Sequence, residues 1–201
     1  MQTTGLRSTH SPAIVRFNNT VWAFAINTNG QLAYTYAVPA FNCSPANIDH
    51  CPDAVFPPGL TRDLGPLESI DAKTLMINGQ EMIILVGIRP DGTLLETYLK
   101  FETGLQVWGP VFSIDGTLAS GEPSLANDFD KKSLALAYKG RDNIVRLRFR
   151  SAQSWSPEQQ LRSGNTPIAI HQNSSPAIAY RRPAVFFRSC ESSSLRERSH
   201  S

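Results

Sequence analysis

The sequence predicts an all-β fold assembled by repeating one small antiparallel sheet, and three observations predict it. A small residue, a proline or its equivalent and an apolar run recur four times: Ser11-Pro12-Ala13-Ile14-Val15, Ser69-Ile70-Asp71-Ala72, Glu122-Pro123-Ser124-Leu125-Ala126 and Ser175-Pro176-Ala177-Ile178-Ala179. Counted from positions 12, 70, 123 and 176, the steps are 58, 53 and 53 residues. No segment keeps apolar residues at helical spacing for long enough to make a helix, whereas partly strand-like alternation occurs, as in Ile144, Leu147 and Phe149 against Arg146, Arg148 and Arg150. A period of about 40 to 50 residues or more with three or four short strands per unit marks a β-propeller blade. The expectation is a partial β-propeller of three to four antiparallel four-stranded blades.

Each unit follows from its residues. In the first, Pro12 to Phe17 gives a strand, Asn18-Asn19-Thr20 a turn, Val21 to Ile26 a second strand, Asn27-Thr28-Asn29-Gly30 a reversal and Leu32 to Tyr36 a third strand. Asn and Gly suit such reversals because both tolerate the positive φ of tight hairpin turns. The second unit repeats the pattern with Glu81 to Ile88, the turn Arg89-Pro90-Asp91-Gly92 and Thr93 to Leu99. The third uses Ser133 to Tyr138, the turn Gly140-Arg141-Asp142-Asn143 and Ile144 to Phe149. Trp108 and Trp155 then stand where a fourth, outer strand or the link to the next blade belongs. The last unit offers Ala177 to Tyr180 and Ala184 to Phe187 before a Ser-, Arg- and Glu-rich tail.

The units therefore run near 11–66, 67–118, 119–171 and 172–188, flanked by segments 1–10 and 189–201 whose polar composition predicts disorder. Propellers typically have four to eight blades. Three complete units and half a fourth predict a shortened propeller, or a ring completed by a second copy of the chain.

Composition excludes several functions. With 19 basic and 17 acidic residues the net charge is +2, which argues against a general nucleic-acid surface. Arg146, Arg148 and Arg150 share one face of a strand, read as a solvated outer face or an anion site. No run of 18 apolar residues predicts a membrane span. Residues 1–10 lack the apolar segment of a signal peptide, which predicts a cytoplasmic or non-classically secreted address. Cys43 and Cys51, in the Pro-rich segment 38–66, form a small loop disulfide or remain two thiols, and Cys190 is left over. No metal-ligand spacing of Cys and His appears, so neither metal nor other cofactor is expected.

Unit two contains Asp91-Gly92-Thr93-Leu94-Leu95-Glu96-Thr97-Tyr98, then Gly104 and Trp108-Gly109. This resembles the repeat of fungal fucose-specific lectins of the six-bladed propeller type. The openings with Ser-Pro-Ala, and Trp155-Ser156 followed by Leu161, are also similar to seven-bladed propeller lectins. The resemblance covers about residues 11 to 187. It implies a non-catalytic carbohydrate-binding protein that holds fucose or a similar monosaccharide in clefts between blades, with glycans as partners.

A sugar offers vicinal hydroxyls and a C–H face, so its site needs a carboxylate, a guanidinium and an aromatic surface. By the resemblance Glu96 supplies the carboxylate and Trp108 the aromatic, with Tyr98 and Trp155 beside them. The arginine of the family's second strand has no counterpart in Met82 to Leu85, and Arg89 at the turn is the nearest substitute. Each of these residues also has a plainer reading: Glu96 as an exposed strand carboxylate, Trp108 and Trp155 as packing between blades. Trp22, in an apolar strand, is expected in the core. A glycosidase would need paired carboxylates that no repeat concentrates. A propeller serving only as a protein-binding platform is the remaining alternative.

Overall fold

The computed structural model describes residues 11–37, 59–128, 130–152, 154–181 and 184–189. Cys43, Cys51, Cys190 and the segments 1–10 and 190–201 lie outside these residues. The described chain is built from consecutive antiparallel sheets whose strands pair in chain order. β1 (Ala13–Phe17), β2 (Thr20–Ile26), β3 (Leu32–Tyr36) and β4 (Leu60–Arg62) form the first blade. β5 (Ser69–Ile77), β6 (Gln80–Ile88), β7 (Leu94–Glu102) and β8 (Leu105–Trp108) form the second, with β9 (Phe112–Ile114) pairing the other end of β7. The third blade is β10 (Ala119–Asn127), β11 (Leu134–Gly140), β12 (Val145–Arg150) and β13 (Gln159–Gln160). A hairpin of β14 (Arg162–Ser163) and β15 (Thr166–Pro167) leads to a final pair, β16 (Pro176–Arg181) and β17 (Ala184–Ser189).

The turns form where the sequence reading put them. Asn18 and Asn19 both adopt positive φ, 49° and 58°, and join β1 to β2. A turn that the sequence reading did not name, Asn78-Gly79 between β5 and β6, has the same form at 51° and 78°. Each β2-to-β3 type reversal is closed by a side chain: Asn27 Oδ1 accepts from the N–H of Asn29 and Gln31. Asp91 accepts from Thr93 and Asp142 from Ile144 in the two later blades. Three elements escape the sequence reading. β4 lies within the Pro-rich segment taken for an insertion, and β9 and the β14–β15 hairpin are two or three residues long, too short to show a period.

The inner strands are stitched together by one repeated device. Asp71 on β5 accepts the Leu125 N–H on β10 at 2.7 Å, and Ser124 on β10 accepts the Ile178 N–H on β16 at 3.2 Å. Both bonds join residues 54 apart, one blade step of 53 plus one residue, so the repeat that opens each unit is also its fastening. Ala13 occupies this place in the first blade and has no acceptor to offer. The Ala72 N–H, opposite that place, is taken by the carboxylate of its own neighbour Asp71 at 2.7 Å. Burial pushes the Asp71 carboxyl above its usual value, although Lys73 and these two N–H groups pull it down.

Apolar side chains fill the spaces between successive sheets. From Met82 to Ile88, β6 carries no polar side chain, because both its faces are covered there. Ile83 and Leu85 face the first blade beside Phe24 and Tyr34, while Ile84, Val86 and Ile88 face the third beside Leu134 and Tyr138. Trp22 is in the core as expected, 1% exposed. The arginine stripe of β12 corrects the reading of a solvated face. Arg146 and Arg148 are buried, turned toward carboxylates from the same blade.

Candidate functional site

In the first and second blades the third strand presents one residue to the following blade, and an indole reaches back to meet it. In β3 that residue is Tyr34, four positions after Gly30; in β7 it is Glu96, four after Gly92. Trp108 Nε1 donates to Tyr34 Oη at 3.3 Å, and Trp155 Nε1 donates to Glu96 Oε2. The two clefts share this geometry and differ in what surrounds it.

In the cleft between the second and third blades, Glu96 is 3% exposed. The exposed-carboxylate reading is thereby overturned: β9 pairs with β7 at this point, Glu96 opposite Phe112, and removes the open edge. The carboxylate is gripped by Arg150 at the end of β12, whose Nε lies 3.1 and 3.0 Å from Oε1 and Oε2 and whose Nη2 lies 2.8 Å from Oε1. Trp155 is held beside Arg150 by a bridge between their backbones. A carboxylate, a guanidinium and an indole thus converge from two blades. Tyr98, two positions along β7, packs on the same side as Trp155. Gly109 must stay a glycine here, because an added Cβ would fall 2.3 Å from the Tyr98 ring.

The same blade carries a second polar network. Glu158 accepts from the Tyr138 hydroxyl, from Thr117 N–H and Oγ1 at 2.9 and 2.8 Å, and from Arg146 Nε at 2.9 Å. Burial pushes the Glu158 carboxyl up, but the hydrogen bonds from Tyr138, Thr117 and Arg146 outweigh it and the net shift is downward. Arg146 also forks onto Asp142 at 2.7 and 2.6 Å, which holds that carboxyl down at about 2. Burial, then the bond to Glu158, pushes the Tyr138 hydroxyl well above the ordinary phenol value.

The cleft between the first and second blades is aromatic. Trp108 lies 5.2 Å from the Tyr34 ring at 68° and 6.4 Å from Phe24 at 85°, and the Arg62 guanidinium sits 5.9 Å from its centroid. Glu96 and Trp108 therefore do not share one pocket. Trp108 pairs with Leu99, three positions from Glu96, and an odd separation along a strand places the two on opposite faces. Arg89 belongs to neither indole contact: its Nη2 donates to the Leu64 carbonyl at 3.3 Å in the link between the blades. The residue the sequence reading missed is Arg150. Its signal was the arginine stripe followed by Trp155, at a position where the earlier blades bury their third-strand side chains.

Among the described residues no group of three or more His, Cys, Asp and Glu is placed to hold a metal ion. Among the described residues no helix is long and apolar enough to cross a membrane.

No protein-family model and no curated protein matches the chain. Solved structures do. The SapL1 lectin, seen with α-methyl fucoside, superposes with a TM-score of 0.54 at 13% identity, over 89% of this chain and 56% of its own. AofleA from Arthrobotrys oligospora gives 0.52 at 14% identity, over 87% and 47%. The fucose-specific lectin of Aleuria aurantia gives 0.52 at 12%, over 88% and 53%. The chain spans about half the length of these lectins. At such low identity the likeness establishes architecture: this chain is a partial β-propeller with the fold of the six-bladed fucose-specific lectins.

Proposed function

We propose that the chain recognises carbohydrate without catalysing a reaction, holding fucose or a similar monosaccharide in a cleft between blades. The observation that carries this reading is the meeting of Glu96, Arg150 and Trp155 across the second cleft. Paired sugar hydroxyls suit a carboxylate as acceptor and a guanidinium as donor, and an indole offers a surface for the C–H face. A monosaccharide entering the cleft takes the place of the Trp155 N–H as donor to Glu96 and accepts from Arg150. The arginine that the family's second strand supplies is thus replaced by one from the third strand of the next blade.

Each exchanged hydrogen bond contributes a net of only about 1 kcal/mol, so a single cleft binds weakly and useful avidity needs several. Glycan partners are read best by repeated sites, and in this reading a second copy of the chain supplies further blades. Ile14 supports that extension, being 61% exposed at the inner-strand place where Ala72, Leu125 and Ile178 are buried. Sedimentation velocity at rising concentration checks it; a folded, cooperatively melting monomer at every concentration speaks against it.

A glycan array tests the function itself. Saturable binding to fucosylated glycans, inhibited by free monosaccharide and weakened about tenfold by Arg150→Ala in a folded variant, is the expected result. A folded chain that binds none of them overturns the reading and leaves the protein-binding platform.

A further inference from the structure

We propose that Asn78, at the tip of the β5–β6 hairpin, is a site of spontaneous covalent modification, converted through a cyclic imide to aspartate and isoaspartate without an enzyme. The chain holds two Asn-Gly pairs, Asn29-Gly30 and Asn78-Gly79. Such a pair is reactive because glycine has no Cβ to obstruct its own backbone nitrogen as it approaches the preceding side chain. The Gly79 nitrogen gives up its proton and bonds to Asn78 Cγ, the Cγ–Nδ2 bond breaks, and ammonia leaves with that proton. Water then opens the imide. Attack at Cγ restores the ordinary backbone with an aspartate side chain; attack at the Asn78 main-chain carbonyl leaves the backbone running through Cβ and Cγ, as isoaspartate.

The first step needs a glycine nitrogen that is free to move, and the two turns differ there. The Gly30 N–H donates to the Asn27 carbonyl at 2.9 Å, and Asn27 Oδ1 accepts from the N–H groups of Asn29 and Gln31, each at 2.9 Å. A Cβ on Gly30 would also lie 3.7 Å from Pro66 and 3.8 Å from Leu67, in the link to the second blade. Among the described residues neither the Gly79 N–H nor the Asn78 side-chain amide has a hydrogen-bond partner. Both residues are exposed, and nothing lies within 4 Å of the place a Gly79 Cβ would take. The strands on either side are anchored: the Met76 N–H donates to the Lys131 carbonyl at 2.6 Å and Gln80 Nε2 to the Phe101 carbonyl at 2.8 Å. The Asn78–Gly79 peptide can therefore turn toward the side chain without unpairing the hairpin, whereas Gly30 must first break its bond.

The full chain is incubated in mildly alkaline buffer at physiological temperature, folded and separately in urea, and peptide mapping by mass spectrometry follows aspartate and isoaspartate at each position. In the folded chain Asn78 is expected to convert at least about fivefold faster than Asn29, the share of one hydrogen bond. In urea the two rates are expected to converge, because the pairs are then chemically alike. Asn27→Ala removes the side-chain tie on Asn29, and should raise the Asn29 rate in the folded chain while leaving that of Asn78 unchanged. Equal rates in the folded chain, conversion of Asn29 ahead of Asn78, or an Asn78 that stays intact when folded yet converts in urea overturns the inference. A difference that persists undiminished in urea also overturns it, since neighbouring residues and not the fold then set the rates.

Discussion

The two clefts of this propeller solve one packing problem in opposite ways. Both bring an indole from one blade onto a third-strand residue of the blade before it. In the first cleft the partner is Tyr34, and Phe24, Trp108 and Arg62 surround it with rings and one cation. In the second the partner is Glu96, and Arg150 must follow it into the interior to balance its charge. The lesson is that the blade repeat fixes where side chains meet and leaves their chemistry free. An aromatic cleft is stabilised by area; an ionic cleft is specific in geometry, because a buried charge must find its partner.

The sharpest way to break this contrast is to strip one partner from each cleft. Arg150→Ala leaves the Glu96 carboxylate buried and unpaired, and is expected to cost about 3 kcal/mol in urea unfolding. Arg150→Met with Glu96→Gln in the same chain should recover much of that loss, because the uncompensated charge is gone. Trp108→Ala removes a half-buried ring from the first cleft and should cost about 2 kcal/mol. High salt should leave the Trp108→Ala deficit unchanged, since no ion pair is lost.

Acid sharpens the comparison further. Asp142 and Glu158 both have folded pKa values below their ordinary ones, so their contribution is present above the unfolded values and is lost as pH falls through the folded ones. The third blade should therefore loosen as pH drops from about 4.5 toward 2, seen as faster amide exchange in β11 and β12 than in β2 and β3. Glu158→Gln should flatten this acid dependence. The smallest effect belongs to Asp71, whose raised pKa has the opposite sign: its ionisation costs stability as pH rises from the unfolded value through the folded one. Asp71→Asn keeps one carbonyl oxygen for the Leu125 N–H but sets its NH2 against the Ala72 N–H, trading the burial cost of the charge for one lost acceptor, and should change stability at neutral pH by under about 1 kcal/mol. A larger loss shows that both carboxylate oxygens are needed to hold this strand junction.

Much of this architecture was legible from the chain. The repeated opening gave the blade step, the Asn and Gly pairs gave the turns, and alternation gave the strands. Glu96, Trp155 and Tyr98 were singled out and do meet in the cleft between the second and third blades, while Trp108 and Arg89 were grouped with them and do not. Trp108 was misplaced because the parity of positions along β7 sends Leu99 and Glu96 to opposite faces, and sequence proximity hides that parity. The β12 arginines were misread because a strand's charged face is normally solvated, whereas here carboxylates on Asp142, Glu158 and Glu96 await them.

By itself the sequence determined the repeat, because local turn chemistry and period-two burial are properties of neighbouring residues. Only the tertiary structure decided which residues meet across a cleft. Arg150 and Glu96 are 54 residues apart, and their pairing follows from the angle between successive sheets. That angle is set by the packing of side chains from both blades together, which no single segment encodes.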